Sequence, residues 1–126
     1  MVKGIEHVGI YCRDSKKLAD WYCEMFDMHC VSDNGSGIYF IKSDNGFMFE
    51  IVPMSEDLGK LDEKAQGIRH IALSVDKEDY EALRDKLIAS GAESLREVPP
   101  SEDMKNFFFR DIEGNVMHII YRSKPL

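Results

Sequence analysis

The chain lacks a long apolar run and a cluster of basic residues. No stretch approaches the roughly 20 apolar residues of a membrane-spanning helix, and the start lacks the basic and apolar parts of a secretory signal. The formal net charge is −7, and the longest basic group is Lys16-Lys17. Binding to a phosphate backbone needs a concentrated positive surface. We therefore predict a cytoplasmic protein that binds neither nucleic acid nor a membrane.

Cysteine is also scarce. Cys12, Cys23 and Cys30 are the only three, no two of them form a C-x-x-C pair, and all lie in the first half. An odd number without paired spacing fits neither a disulfide framework nor a zinc knuckle. We expect three reduced thiols that fill space or lie at the surface.

The length of 126 residues, with 44% hydrophobic and 31% charged residues, is typical of one globular domain. Two short sequences occur twice within it. G-I-E-H-V at 4–8 returns as G-I-R-H-I at 67–71, and G-F-M-F-E-I-V at 46–52 returns as G-N-V-M-H-I-I at 114–120. The repetition predicts a single domain, 1–126, built of module 1 at 1–54 and module 2 at 67–126, with a polar linker at 55–66.

Hydrophobic periodicity predicts the order strand, helix, strand, strand, strand in both modules. The predicted strands of module 1 are 4–12, 29–32, 38–42 and 47–53, and its helix follows Asp14 and Ser15. The predicted strands of module 2 are 68–75, 93–98, 107–110 and 116–121, and its helix is capped by Asp76 and ends near Gly91.

The two repeated sequences place four candidate ligands at repeat-related strand positions, each beside large apolar residues: His7, Glu50, His70 and His118. Neighbouring residues of a strand face opposite sides, so the apolar neighbours should pack against the helices and the four side chains should face the other way. Imidazoles with one carboxylate suit Zn, Ni, Co, Fe or Mn rather than Ca or Mg. We predict that the four residues bind one divalent transition-metal ion.

Other residues carry weaker signals. His29 has no repeat partner, and we interpret it as a surface histidine. Tyr11, Phe40 and the run Phe107-Phe108-Phe109 are candidates for an apolar substrate wall, although aromatic residues in strands mainly belong to the core. Arg110, near the end of a strand, is a candidate for contact with a substrate carboxylate.

These motifs resemble the vicinal oxygen chelate superfamily, which includes glyoxalase I, extradiol dioxygenases and the fosfomycin and bleomycin resistance proteins. The similarity lies in the I-x-H-[VI] strand openings, the G-x-x-x-E-I strand and the D-x-x-G-N turn before the last strand. It implies an α+β fold of two βαβββ modules, whose curved mixed sheet forms half-barrels with helices on the convex face and a metal site on the concave face. It also implies that His7, Glu50, His70 and His118 are the metal ligands. A homodimer is expected, and the ligands come from one chain or from two.

One position departs from the family pattern. The last strand usually reads G-N-x-x-E, whereas this chain has Gly114-Asn115-Val116-Met117-His118. Three imidazoles and one carboxylate leave a divalent ion with a site charge of about +1 instead of 0, which strengthens it as a Lewis acid. Glu50 is then the sole carboxylate among the four ligands, and thus the candidate catalytic base.

By resemblance, the expected activity is that of a glyoxalase-type lyase or isomerase, which acts on a small oxygen-chelating substrate through an enediolate-like intermediate. The first alternative is an extradiol-type dioxygenase, although its usual two histidines and one carboxylate differ from the set in this chain. The second alternative is a non-catalytic resistance protein that sequesters a drug or metabolite.

Overall fold

A computed structural model describes residues 1–62 and 64–126. The chain forms two units, Met1–Leu58 and Gly59–Leu126, and each has the order strand, helix, strand, strand, strand. The boundary between the units falls inside the predicted linker 55–66, of which Glu63 lies outside the described residues. In the described part of the chain, no helix has the length and apolar character needed to cross a membrane.

The first unit contains one open four-stranded sheet and one helix. Its elements are β1 Val8–Cys12, α1 Ser15–Phe26, β2 His29–Asp33, β3 Tyr39–Lys42 and β4 Met48–Pro53. The strand order is β1-β4-β3-β2, with β1 parallel to β4 and the other pairs antiparallel.

Helix α1 forms where the apolar spacing predicts it. Asp14 is the N-cap, and its carboxylate accepts a hydrogen bond of 3.0 Å from the Lys17 backbone N–H. Leu18 and Tyr22 are fully buried on one face of the helix. The Tyr22 ring packs edge-on against Phe49 of β4, at a centroid distance of 5.2 Å. The helix therefore covers the face of the sheet that carries Phe49, and leaves the neighbouring Glu50 on the other face.

The second unit repeats the arrangement. Its elements are β5 Ile71–Ser74, α2 Tyr80–Ala89, β6 Glu93–Val98, β7 Met104–Arg110 and β8 Val116–Arg122. The strand order β5-β8-β7-β6 has the same parallel first pair and antiparallel later pairs. The α+β class and the two βαβββ modules are thus confirmed, and both sheets are open rather than closed barrels.

Helix α2 begins later than its predicted cap. The N-cap is Asp79, because a turn precedes the helix in which the Asp79 N–H donates to the Asp76 carbonyl at 3.2 Å. Tyr80 follows at once and is fully buried, and its hydroxyl donates to the Glu97 carboxylate at 3.1 Å. This anchor places the first helical turn on the sheet, which a propensity argument from Asp76 does not reveal.

The first strand of each unit is shorter than predicted. Strand β1 begins at Val8 and β5 at Ile71, not at the predicted residues 4 and 68. Pairing starts at Val8 with Phe49 and at Ile71 with Met117, each one residue after the start of the partner strand. His7 and His70 therefore lie immediately before the first paired residue in both units.

The two helix N-termini give a matched test of stability. We expect Asp14→Ala to lower the free energy of unfolding by about 1 kcal/mol, because it removes the side-chain cap of α1. Asp79→Ala is the control, because the Asp79 side chain makes no cap hydrogen bond within the described residues. Urea denaturation measures both changes, and an equal loss in the two variants would contradict the capping argument.

Candidate metal centre

In the first unit the structure brings His7 and Glu50 together. The His7 Nε2 atom lies 3.4 Å from Glu50 Oε2, and His7 Nδ1 lies 3.0 Å from Glu6 Oε1. The register of the parallel pair explains the contact, since Gly9 of β1 lies directly opposite Glu50 of β4. A Cβ atom on Gly9 would lie 3.7 Å from Glu50 Oε2, so the absence of a side chain there leaves space beside the carboxylate.

The separation of His7 and Glu50 suits two ligands of one ion. Two donors that are each about 2.1 Å from a tetrahedral ion lie about 3.4 Å apart. A direct hydrogen bond between nitrogen and oxygen is usually shorter, at about 2.7–3.2 Å. The Glu6 carboxylate at Nδ1 is also the kind of outer contact that orients a metal-binding imidazole and leaves Nε2 for the ion.

The second unit brings His70 and His118 together. Their ring centroids are 4.5 Å apart with an interplanar angle of 83°. Ala72 of β5 lies opposite His118 of β8, which repeats the pairing of Gly9 with Glu50. Both units therefore place the residue before their first strand beside the middle of their last strand. Neither unit groups three or more His, Cys, Asp or Glu side chains into a complete metal site by itself, over residues 1–62 and 64–126.

His118 is held by two neighbours on β7. Its ring stacks on Phe108 at 4.3 Å with an interplanar angle of 1°. Its Nδ1 atom lies 2.6 Å from the Asn106 side-chain oxygen. An amide oxygen only accepts hydrogen bonds, so Nδ1 carries the proton and Nε2 keeps its lone pair. Asn106 thus selects the tautomer that makes Nε2 a possible metal donor.

His70 supplies the second sign that a ligand belongs here. Its Nδ1 atom is buried, and no hydrogen-bond partner for it occurs among the described residues. Buried polar atoms in folded proteins are nearly always paired. A bound ion or ligand at this nitrogen would satisfy it, so the donor sets of both units fit a transition metal.

Burial keeps both imidazoles of the second unit neutral. Burial is the main cause that lowers the pKa of His118, to about 4, and the charges of His70, Arg69, Arg122 and Arg96 lower it further. The pKa of His70 is lowered by burial first and then by Arg69 and Arg96. Neutral imidazole is the form that binds metals, so both rings are ready as ligands at neutral pH.

The substrate candidates have different surroundings. Phe40 lies opposite Glu50 on β3, and its ring meets His7 edge-on at 5.4 Å. Tyr11 lies on β1 with 72% of its surface exposed. Arg110 is buried, and its Nη1 donates to the Gly114 carbonyl at 2.8 Å, a contact that holds the turn before β8. His29 is exposed on β2, and none of the three cysteines forms a disulfide bond within the described residues.

Sequence reasoning missed Asn106 and Arg96 as members of the His118 cluster, and it named Phe108 only as a candidate for an apolar wall. A signal for Phe108 was present in the repeats, because Phe40 precedes Glu50 by the same number of residues as Phe108 precedes His118. Phe40 pairs with Glu50, and Phe108 pairs with His118, each between two antiparallel strands. Asn106 shares the sheet face of Phe108 because it is two residues away on the same strand.

The pKa of His118 makes a prediction for the metal-free protein. Above pH 6.5 the ring is neutral in both the folded and the unfolded chain. Between pH 6.5 and about 4 only the unfolded chain binds the proton, so the free energy of unfolding should fall with pH by up to about 1.36 kcal/mol per pH unit from this group. We expect the His118 ring resonances to titrate near pH 4 in chelator-treated protein. A midpoint at 6.5 or above would contradict the burial argument.

Several proteins of known structure have a similar fold. A glyoxylase/bleomycin resistance protein/dioxygenase domain from Frankia sp. EAN1pec is similar, with a TM-score of 0.82, 18% identity, and coverage of 100% of this chain and 96% of the other. The fosfomycin resistance protein FosX from Listeria monocytogenes has a TM-score of 0.79 and 18% identity over 98% and 96% of the two chains. FosX from Mesorhizobium loti has a TM-score of 0.77 and 15% identity over 98% and 95%.

One solved structure of a Listeria FosX mutant holds Mn(II) and 1S,2S-dihydroxypropylphosphonic acid. At these identities the similarity establishes the fold of the present chain. No curated protein matches the sequence. The sequence model of a family matches residues 4–119, which is most of the chain. The chain therefore belongs to the Glyoxalase/Bleomycin resistance protein/Dioxygenase superfamily.

Proposed function

We propose that this protein is a metal-dependent enzyme in which His7, Glu50, His70 and His118 bind one divalent transition-metal ion. The observation that carries the proposal is the pair of donors in each unit at repeat-related positions, with His7 Nε2 and Glu50 Oε2 3.4 Å apart. The buried, unpartnered Nδ1 of His70 within the described residues supports it. The ligands come from one chain or from two chains of a homodimer.

The donor set favours a first-row transition metal. Imidazole nitrogen with a single carboxylate suits Zn, Ni, Co, Fe or Mn. Mn(II) in a FosX structure of the same fold supports a metal of this group. When bound, the ion would polarise neighbouring oxygens of a small substrate as a Lewis acid.

Glu50 is the residue that we propose moves the proton. Its carboxylate is 28% exposed, and Gly9 opposite it presents no side chain, so a substrate carbon can approach Oε2. The carboxylate takes a proton from one carbon and returns it to the next, as in lyases and isomerases of the glyoxalase type. Phe40, whose ring contacts His7, would form an apolar wall beside this base.

The names of the structural relatives favour a second candidate function. FosX proteins from two organisms are called fosfomycin resistance proteins. A protein that modifies or sequesters a drug would use the same fold, and sequestration alone would not need Glu50 as a base. Loss of bacterial resistance to fosfomycin on Glu50→Gln would support drug modification, and unchanged resistance would support sequestration.

Metal analysis tests the shared site. We expect one ion per chain in the wild type, and about 100-fold or more weaker binding in His7→Ala and in His118→Ala, since even loss of an outer contact costs about 10–100-fold. His29→Ala is the control, because this exposed histidine has no repeat partner. Two ions per chain, with only one lost in each variant, would show separate sites in the two units and contradict the proposal.

Proton exchange tests the role of Glu50. The probes are small α-hydroxycarbonyl compounds in deuterated water, followed by proton NMR with the metal-loaded protein. We expect Glu50→Gln to slow exchange by about 10²- to 10⁴-fold, the usual contribution of a general base. Asp44→Asn, an exposed carboxylate in the same unit, should leave the rate unchanged. Undiminished exchange in Glu50→Gln with the metal retained would exclude Glu50 as the base.

A further inference from the structure

A positively charged pocket lies in the second unit. It has a volume of about 510 Å³ and is lined by Lys64, Ala65, Arg69 and Arg96. Three of these four residues are cationic, although the whole chain carries a formal charge of −7. The volume is that of a small-molecule site. A local concentration of positive charge in a cleft raises the local concentration of anions, even on an acidic protein.

The pocket adjoins the His118 cluster. The Arg96 guanidinium lies over the Phe108 ring, 4.0 Å from its centroid, and the same ring stacks on His118. The Arg69 guanidinium carbon is 5.9 Å from the same centroid, and Arg69 directly precedes His70. Both arginines therefore stand beside the two imidazoles of this unit.

A β-bulge in β6 directs Arg96 toward Phe108 and the pocket. The register of β6 with β7 shifts between Ser94 and Arg96, so that Arg96 lies opposite Phe108. Bulges commonly redirect a side chain near a functional site. The first unit has the same shift between Cys30 and Ser32, where Ser32 lies opposite Phe40. Because the repeat-related residue there is a serine, the scaffold does not require an arginine at this position.

We propose that Lys64, Arg69 and Arg96 form a binding site for a small tetrahedral oxyanion, of the phosphate or phosphonate class. Three cations match a doubly charged group better than a single carboxylate. Arginine side chains present planar pairs of N–H donors that fit such oxygens, and the Phe108 ring keeps the Arg96 guanidinium in place. That the anion is part of the substrate rests on the proposed function, whereas anion binding itself does not.

Methylphosphonate is the probe, added to the full-length, metal-free protein at low salt. We expect saturable chemical-shift changes at the backbone amides of Arg69 and Arg96, and binding that weakens as sodium chloride is raised because the salt screens exposed charges. Acetate, with a single charge, should bind about tenfold more weakly. Acetate binding equal to that of methylphosphonate would overturn the assignment to a dianion.

Variants localise the site. Arg69→Gln and Arg96→Gln should each weaken methylphosphonate binding by about tenfold. Arg96→Lys keeps the charge and should lose less, which separates charge from any folding defect of Arg96→Gln. Lys77→Gln is the control with the same change in charge, since Lys77 is paired with Glu102 at 2.6 Å outside the pocket.

Two further results would overturn the proposal. One is the absence of saturable binding to the folded wild type at low salt. The other is an equal loss in Lys77→Gln and in the arginine variants, which would show a nonspecific charge effect. Failure here would leave the metal stoichiometry and the role of Glu50 untouched, because binding is measured without metal and without turnover.

Discussion

The parallel pairing of the first and last strands within each unit is the constraint on which the candidate site depends. In the first unit the pairing sets Gly9 opposite Glu50, and in the second it sets Ala72 opposite His118. The histidine before each first strand is thereby brought to the last strand. A shift of this register by one residue would move Glu50 or His118 to the helix-covered face of its sheet. The small residues Gly9 and Ala72 keep the space beside each donor open.

The same backbone frame carries two different electrostatic environments. His7 has the carboxylates of Glu6 and Glu50 beside it. His118 is buried against Phe108 and held by Asn106, with arginines nearby. The first unit therefore places carboxylates beside its imidazole, and the second presents neutral nitrogen donors next to cationic side chains. A histidine at position 118 instead of a carboxylate fits this division, since an anion there would compete with the proposed oxyanion for the arginines.

Much of the architecture was predictable because its signals are local. The apolar stripe and the Asp14 cap specify α1, and the Asp111 to Asn115 turn before β8 was recognisable from its residues. The predictions failed where a distant partner decides an element. Helix α2 begins at Tyr80 rather than near Asp76, because the buried Tyr80 hydroxyl bonds Glu97 on β6. Strands β1 and β5 begin with the pairs Val8–Phe49 and Ile71–Met117, close to the points where β4 and β8 themselves begin.

By itself the sequence determined the two-module repeat and the family, and it predicted four candidate donor positions, because repeated short motifs and alternating apolar residues are properties of neighbouring positions. Tertiary structure alone decided which nitrogen of His118 is protonated, because the Asn106 side-chain oxygen reaches that ring from the neighbouring strand β7. It also decided that Arg96 faces Phe108, through a bulge that shifts the register within β6. Both contacts depend on the register between neighbouring strands. That register is set by the packing of the whole sheet and not by a local sequence pattern.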